Sequence, residues 1–281
     1  MDFDGDTASV IRIHDKQAQF EIEKLAHISN NIQYDHNPTF INKCKGEAMY
    51  AAYSLLHASP SLTKNPIIID QLINLPLDDF NRLFETDIPV QFNDGSIHPY
   101  GRCIFNRWCG FKEIKITEFV SPNEISKQIY LDSQDNLEYH NRLQEIMVKL
   151  FWYSSLNSNS PLTFALSDIG KLEFKEEKEI LQKLPNNPYI GQHLYKSIIK
   201  RIYKKIPNTH FFGKLLASGL GKVKTQLARI SGAIGYISDD SNIILESPIG
   251  GNLIDGLNPD DFFNAAMGAR KGLVNIGHFQ E

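Results

Sequence analysis

Three carboxylates crowd the first six residues, Met1-Asp2-Phe3-Asp4-Gly5-Asp6. On so short a loop Asp2, Asp4 and Asp6 repel one another unless a cation sits between them. The arrangement is therefore expected to hold a hard divalent metal. Mg²⁺ fits best, because it takes oxygen ligands in near-octahedral geometry and keeps positions for water or phosphate. Gly5 lets the backbone turn tightly enough to bring all three carboxylates onto one ion.

Other acid-rich loops fit less well. A calcium-binding EF-hand loop needs a glutamate at its twelfth position, and counting from Asp2 reaches Ile13. A phosphatase loop of the Asp-x-Asp-Gly type needs a buried strand before its first aspartate, and only Met1 precedes Asp2. A solvated acidic terminus without a ligand is the plain alternative, and the far end of the chain weighs against it.

The chain has 281 residues, 42% of them hydrophobic and 22% charged, as expected of a globular protein with one large or two ordinary domains. No apolar run reaches membrane-spanning length and no charged-then-apolar leader opens the chain, so a cytoplasmic location without a membrane partner is expected. Cys44, Cys103 and Cys109 lack metal-ligand spacing and are expected as free thiols. The net charge of -4 is unevenly spread: from Leu194 to Arg229 there are nine basic residues and no acidic one. A local positive field facing phosphate can thus exist on an acidic chain.

Thr7 to Ile13 is rich in β-branched and small residues, so the acidic loop is expected to join two strands of a small barrel. Helical spacing follows from Asp15, a candidate N-cap, to about Ser29-Asn30-Asn31, and again from Glu47 to His57. Short helical pieces broken by prolines are expected between Ser59 and Asp94. Arg102, in Gly101 to Asn106, is expected to form a structural salt bridge, with phosphate contact as the lesser reading. Glu124 to Ser155 reads as a long helical scaffold interrupted at Ser133, its core side including Ile129, Leu131, Leu137, Leu143, Ile146, Leu150 and Phe151. Asn157 to Ser160 reads as a boundary loop, and an apolar strand follows through Phe164, Leu166 and Ile169. The helix Leu194 to Ile206 sets its apolar residues against a basic face, read mainly as solvated. Gly219, Gly221, Gly232 and Gly235 punctuate a short basic segment carrying Lys222, Lys224 and Arg229. Gly-x-Gly at 219 to 221 lacks the third glycine and the strand of a dinucleotide fingerprint.

Asn258-Pro259-Asp260-Asp261 is a complete helix-start signal: an asparagine cap, proline at the first position and acids in the first turn. That helix runs on into Gly268-Ala269-Arg270-Lys271-Gly272-Leu273. Small residues around two adjacent cations suit a helix lying against another polymer's backbone and neutralising phosphates.

Taken together, the two ends carry a resemblance. Asp2-Phe3-Asp4-Gly5-Asp6 resembles the metal loop of the largest catalytic subunit of multisubunit DNA-directed RNA polymerases, the β′ subunit in bacteria. Asn252 to Leu273, NLIDGLNPDDFFNAAMGARKGL, resembles that subunit's bridge helix and the turn leading into it. Ser29 to Ile32, Gly101 to Asn106, Ser160 to Ile169 and Ser218 to Pro248 match further landmarks in the same order, the last resembling the F-loop. The likeness covers nearly the whole chain, loosely from Lys112 to Asn159.

The resemblance implies a mixed α+β, mainly helical fold. Residues 1–28 would form the tail of an active-site barrel, 29–159 a pore-like region, 160–217 a funnel-like helical region, and 218–281 the F-loop and part of the bridge helix. It implies that Asp2, Asp4 and Asp6 hold the catalytic Mg²⁺, and that Arg270, Lys271, Lys222, Lys224 and Arg229 face nucleic acid. The implied partners are other β′ pieces, a β-like subunit, template DNA, nascent RNA and nucleoside triphosphates. The family's ribose-reading asparagine, two residues before the first metal aspartate, falls ahead of Met1. After Gly-Leu the family pattern Ala-Asp-Thr-Ala is replaced by Val274-Asn275-Ile276-Gly277, and Ala228 stands where arginine is usual, with Arg229 next to it. The expectation is one piece of a divided, phage-encoded subunit, in host cytoplasm or virion, inactive without its companions. A cellular gene cut short is the alternative origin, and a non-catalytic structural or inhibitory remnant is the alternative function.

Overall fold

The computed structural model describes residues 10–27, 30–34, 37–77, 82–156, 174–220, 223–239 and 241–277. Asp2, Asp4, Asp6, the 157–160 loop and the strand expected at 164–169 lie outside them. Contacts divide the chain into two compact units, one built on residues 12–156 and the other on 174–216 and 223–277.

In the first unit, helix α1 (Lys16–Ala26) starts as expected: the Asp15 carboxylate accepts from the Ala18 amide at 2.8 Å. None of its residues is buried, and Phe20 and Leu25 are exposed. Strands β1 (Gln33–Tyr34) and β2 (Asn37–Phe40) form a short antiparallel hairpin. Helix α2 (Glu47–Leu56) buries eight of its ten residues, because alanine at 48, 51 and 52 brings its backbone close to its neighbours. Strands β3 (Ile67–Ile69), β4 (Pro89–Phe92) and β5 (Ile97–Pro99) make a three-stranded sheet, parallel between β3 and β4 and antiparallel between β4 and β5. Helices α3 (Tyr100–Trp108), α4 (Pro122–Asp132) and α5 (Asn136–Leu156) complete the unit. α2 packs on α3 and α5 around a core that includes Tyr50, Leu55, Ile104, Phe105, Ile129 and Ile146.

Several expectations need correction here. Residues 10–13 form no strand, and Val10 and Ile11 are exposed. β-branched residues favour a strand only where a neighbour completes the ladder, and among the described residues no closed barrel exists to supply one. The 59–94 segment holds two strands besides its short 3₁₀ turns at Leu72–Asn74 and Arg82–Phe84. Arg102 has no carboxylate within ion-pair distance among the described residues; its Nη1 lies 3.4 Å from His98 Nδ1. The ion-pair role falls to Arg142, which reaches Asp132 at 2.7 Å and donates twice to the Cys109 carbonyl. The break at Ser133 is present, but Leu131 and Leu137 are exposed, and Phe151 lies at the surface. Leu131 is two positions from buried Ile129, hence on the other side of α4. Cys44, Cys103 and Cys109 are free, as expected, and are also buried; burial pushes the Cys44 and Cys103 thiols up to about 12.

The second unit contains α6 (Lys175–Leu181), α7 (Pro188–Lys205), α8 (Phe211–Ala217), α9 (Val223–Leu227) and α10 (Pro259–Gly277). α7 begins six residues earlier than its apolar pattern predicts, because Asn187 caps it by accepting from Tyr189 and Ile190 and Pro188 takes the first position. Its buried face is Gly191, Ile198, Ile199 and Ile202. A π-helical turn, Ala228–Gly232, continues α9, and an irregular hairpin held by the bridges Gly235–Ile249 and Ser238–Ile244 follows. Among the described residues no helix is long and apolar enough to cross a membrane.

Candidate nucleic-acid interface

The start of α10 is the one its sequence calls for. Asn258 Oδ1 accepts from the Asp261 amide at 2.8 Å, Pro259 occupies the first position, and Asp260 and Asp261 face the positive end of the helix dipole. The helix continues through Gly277, so the departing sequence Val274–Gly277 remains helical. Phe262 and Phe263 are 66% and 65% exposed, an unusual load of aromatic surface for one turn.

The turn entering α10 is fixed by a buried polar centre that the sequence reading did not single out. Asn252 is 3% exposed. Its Oδ1 accepts from the Ile254 and Asp255 amides at 3.0 and 2.9 Å, while its Nδ2 donates to the Gly232 carbonyl and to Asp255. Lys178 of α6 closes the network on Asp255 at 2.5 Å. These bonds hold the Asp255 carboxyl below its ordinary range, with Lys178 the larger cause and Asn252 the second. The Leu253 and Ile254 amides donate to the carbonyls of Arg229 and Ile230, groups otherwise orphaned at a helix end. The π-helical turn and the entry to α10 are thus strapped together, backbone to backbone. An Asn-x-x-Asp-Gly sequence is the only local sign of such a turn.

Further along α10, the small residues Ala265, Gly268 and Ala269 line a cleft of about 430 Å³ together with Arg229, Tyr236 and Lys271. Lys271 Nζ donates to Ser238 Oγ at 2.7 Å. A Cβ placed on Gly268 would meet Ile237 at 3.5 Å, ordinary contact, and one on Gly272 would meet nothing within 4 Å among the described residues.

Of the expected site residues, Asp2, Asp4, Asp6 and Lys222 lie outside the described residues. Arg229 and Lys271 meet at this cleft; Arg270 is exposed on α10 and does not line it. Lys224 belongs to a second cleft, against α7. The basic face of α7 is not wholly solvated: Lys205 reaches the buried Glu177 carboxylate at 2.6 Å, and Arg201 lies 3.8 Å from it. Lys196, Lys200 and Lys204 are exposed.

Comparison with known proteins adds a partial likeness. No family model matches the chain. A stretch of 58 residues, 21% of the chain, is 41% identical to the DNA-directed RNA polymerase subunit beta′ of Caldanaerobacter subterraneus, spanning 5% of that protein. Over an alignment 139 residues long that covers 42% of the chain, it is 27% identical to the same subunit of Caldicellulosiruptor saccharolyticus, spanning 12% of that protein. The subunit of Xanthomonas euvesicatoria is 36% identical over 58 residues, 4% of its length. The chain therefore matches only a small part of each relative, and over those stretches it carries a β′-like piece.

Proposed function

We propose that the chain is one piece of the catalytic β′-like subunit of a DNA-directed RNA polymerase, working only with companion subunits. The partial identity to β′ subunits carries the reading. The glycines of α10 support it physically. Glycine inside a helix costs roughly 0.5–1 kcal/mol relative to alanine, and neither Gly268 nor Gly272 is required by contacts with the described residues. Two unfavourable glycines beside Arg270 and Lys271 suit a helix face that a nucleic-acid backbone approaches closely, with the cations neutralising phosphate.

In this reading Asp2, Asp4 and Asp6 hold Mg²⁺, since three carboxylates form the hard oxygen donor set that this ion prefers. Bound there, Mg²⁺ would supply charge that favours ionisation of the RNA 3′ hydroxyl and orients it toward the α-phosphate of the incoming nucleotide. The chain's own part is to fix the three carboxylates, to hold α10 at the angle set by Asn252, and to place Arg270 and Arg229 against phosphate. Lys271 is engaged with Ser238, the one observation that favours the alternative of a structural fragment without a catalytic role.

The test is reconstitution. The full chain should co-purify in stoichiometric complex with the other polymerase subunits, and Asp4→Ala should reduce nucleotide addition by at least about 100-fold, the upper end of the loss for a supporting residue one shell further from a metal. Unimpaired addition by Asp4→Ala in the assembled complex would end the catalytic reading and leave the structural one.

A further inference from the structure

The second cleft, about 500 Å³, lies between α7 and the segment from α9 to Tyr236, and of its lining the polymerase reading uses Lys224 alone. Tyr195, Tyr203 and Tyr236 line it together with Lys196, Lys200 and Lys224. Among the described residues no carboxylate lines it, and none of these three lysines is ion-paired.

The aromatic wall is built in. Each tyrosine hydroxyl already donates to a backbone carbonyl: Tyr195 to Ala233 at 2.9 Å, Tyr203 to Lys224, and Tyr236 to Pro185. The rings are therefore held in place with their polar ends satisfied, and the faces they turn to the cleft are apolar. Two glycines make the arrangement possible. A Cβ on Gly191 would fall 1.6 Å from the Tyr236 hydroxyl oxygen, and one on Gly235 would fall 2.7 Å from the Tyr195 ring. Each element carries a tyrosine lying over a glycine of the other. Gly235 also has φ +80°, which side-chain-bearing residues rarely adopt. Such interlocking leaves a preformed hollow rather than one that must open.

A hollow of a few hundred cubic ångströms with mainly apolar walls and a few charges at one edge is the usual form of a small-molecule site. Three ammonium groups call for more than one negative charge, and tyrosine faces call for a flat ring that can stack or pack edge-on. We propose that this cleft binds a small aromatic phosphomonoester, the ring against Tyr195 and Tyr203 and the dianionic phosphate among Lys196, Lys200 and Lys224. A mononucleotide and a simple aryl phosphate share this chemistry.

Titration calorimetry on the full chain tests it, with adenosine 5′-monophosphate, phenyl phosphate, adenosine and inorganic phosphate as separate probes. At least one ring-bearing phosphate should bind at micromolar concentration, at least about tenfold tighter than adenosine or phosphate, and more weakly as salt is raised. The tighter of the two ring-bearing probes identifies the source. The triple variant Lys196→Gln, Lys200→Gln, Lys224→Gln, all at exposed positions, should weaken binding at least about tenfold while the thermal midpoint holds. Tyr203→Leu should lessen the advantage of the ring-bearing probes over inorganic phosphate. The proposal is overturned if neither ring-bearing phosphate binds below millimolar concentration to the folded chain, or if the lysine variant binds as tightly as the parent.

Discussion

Replacing Asn252 by alanine removes the polar centre from which α10 departs. The Gly232 carbonyl loses its side-chain donor in a buried site, and an orphaned buried group costs about 1–3 kcal/mol. The Asp255 amide loses its acceptor as well, and the Ile254 amide loses one of two, keeping the Ile230 carbonyl; each bond is worth about 1 kcal/mol. Water can reach exposed Asp255, so the expected net loss is roughly 2–4 kcal/mol of local stability. Amide hydrogen exchange on the full chain reads this directly, because the Leu253 and Ile254 amides report the strap to Arg229 and Ile230. Their protection should fall by on the order of 30- to 1000-fold if exchange follows the opening equilibrium. Asn252→Asp keeps the acceptor but turns a second carboxylate toward Asp255, so it should be at least as damaging near neutral pH and recover partly on acidification. Unchanged protection at Leu253 and Ile254 in Asn252→Ala would refute the claim that this side chain fixes the turn.

Two further outcomes follow from particular groups. Glu177 is buried, and its hydrogen bond to Lys205 holds its carboxyl below the ordinary value of 4.5. Its contribution is therefore complete above that value and is lost as pH falls through the lower folded one; the urea midpoints of the parent and Glu177→Gln should differ near pH 7 and draw together as the pH is taken progressively below 4.5. Gly268→Ala and Gly272→Ala should each stabilise the isolated chain by about 0.5–1 kcal/mol, yet lower nucleotide addition in the reconstituted complex; variants that stabilise the chain and leave addition unchanged would remove the argument that an outside polymer claims those positions.

What could be read from the sequence was local. The α10 cap needs only Asn258 to Asp261, and the break before α5 needs only the residues around Ser133, so both are visible without knowing the fold. The same signal at Asn187-Pro188 marks the start of α7, but the apolar spacing that begins at Leu194 drew the boundary six residues late. β3 and β4 escaped because their pairing joins Ile67 to Val90 across a proline-broken stretch, and three or four residues carry too little periodicity of their own. Residues 10–13, the described part of the strand expected across Thr7 to Ile13, show the opposite error, propensity without a partner to pair with. At the site, the helix and its cations were legible, whereas Asn252 acquires its importance from Gly232, twenty residues away. The tyrosine–glycine interlock was hidden for the same reason.

The three cysteines of the first unit carry a consequence of their own. All lie at or near zero exposure with thiols held protonated far above neutrality, so the folded chain offers oxidants and soft metals no thiolate to attack. Its chemistry toward them is that of a protein without sulfhydryls, and only loss of the packing around α2, α3 and α5 would give it a redox life.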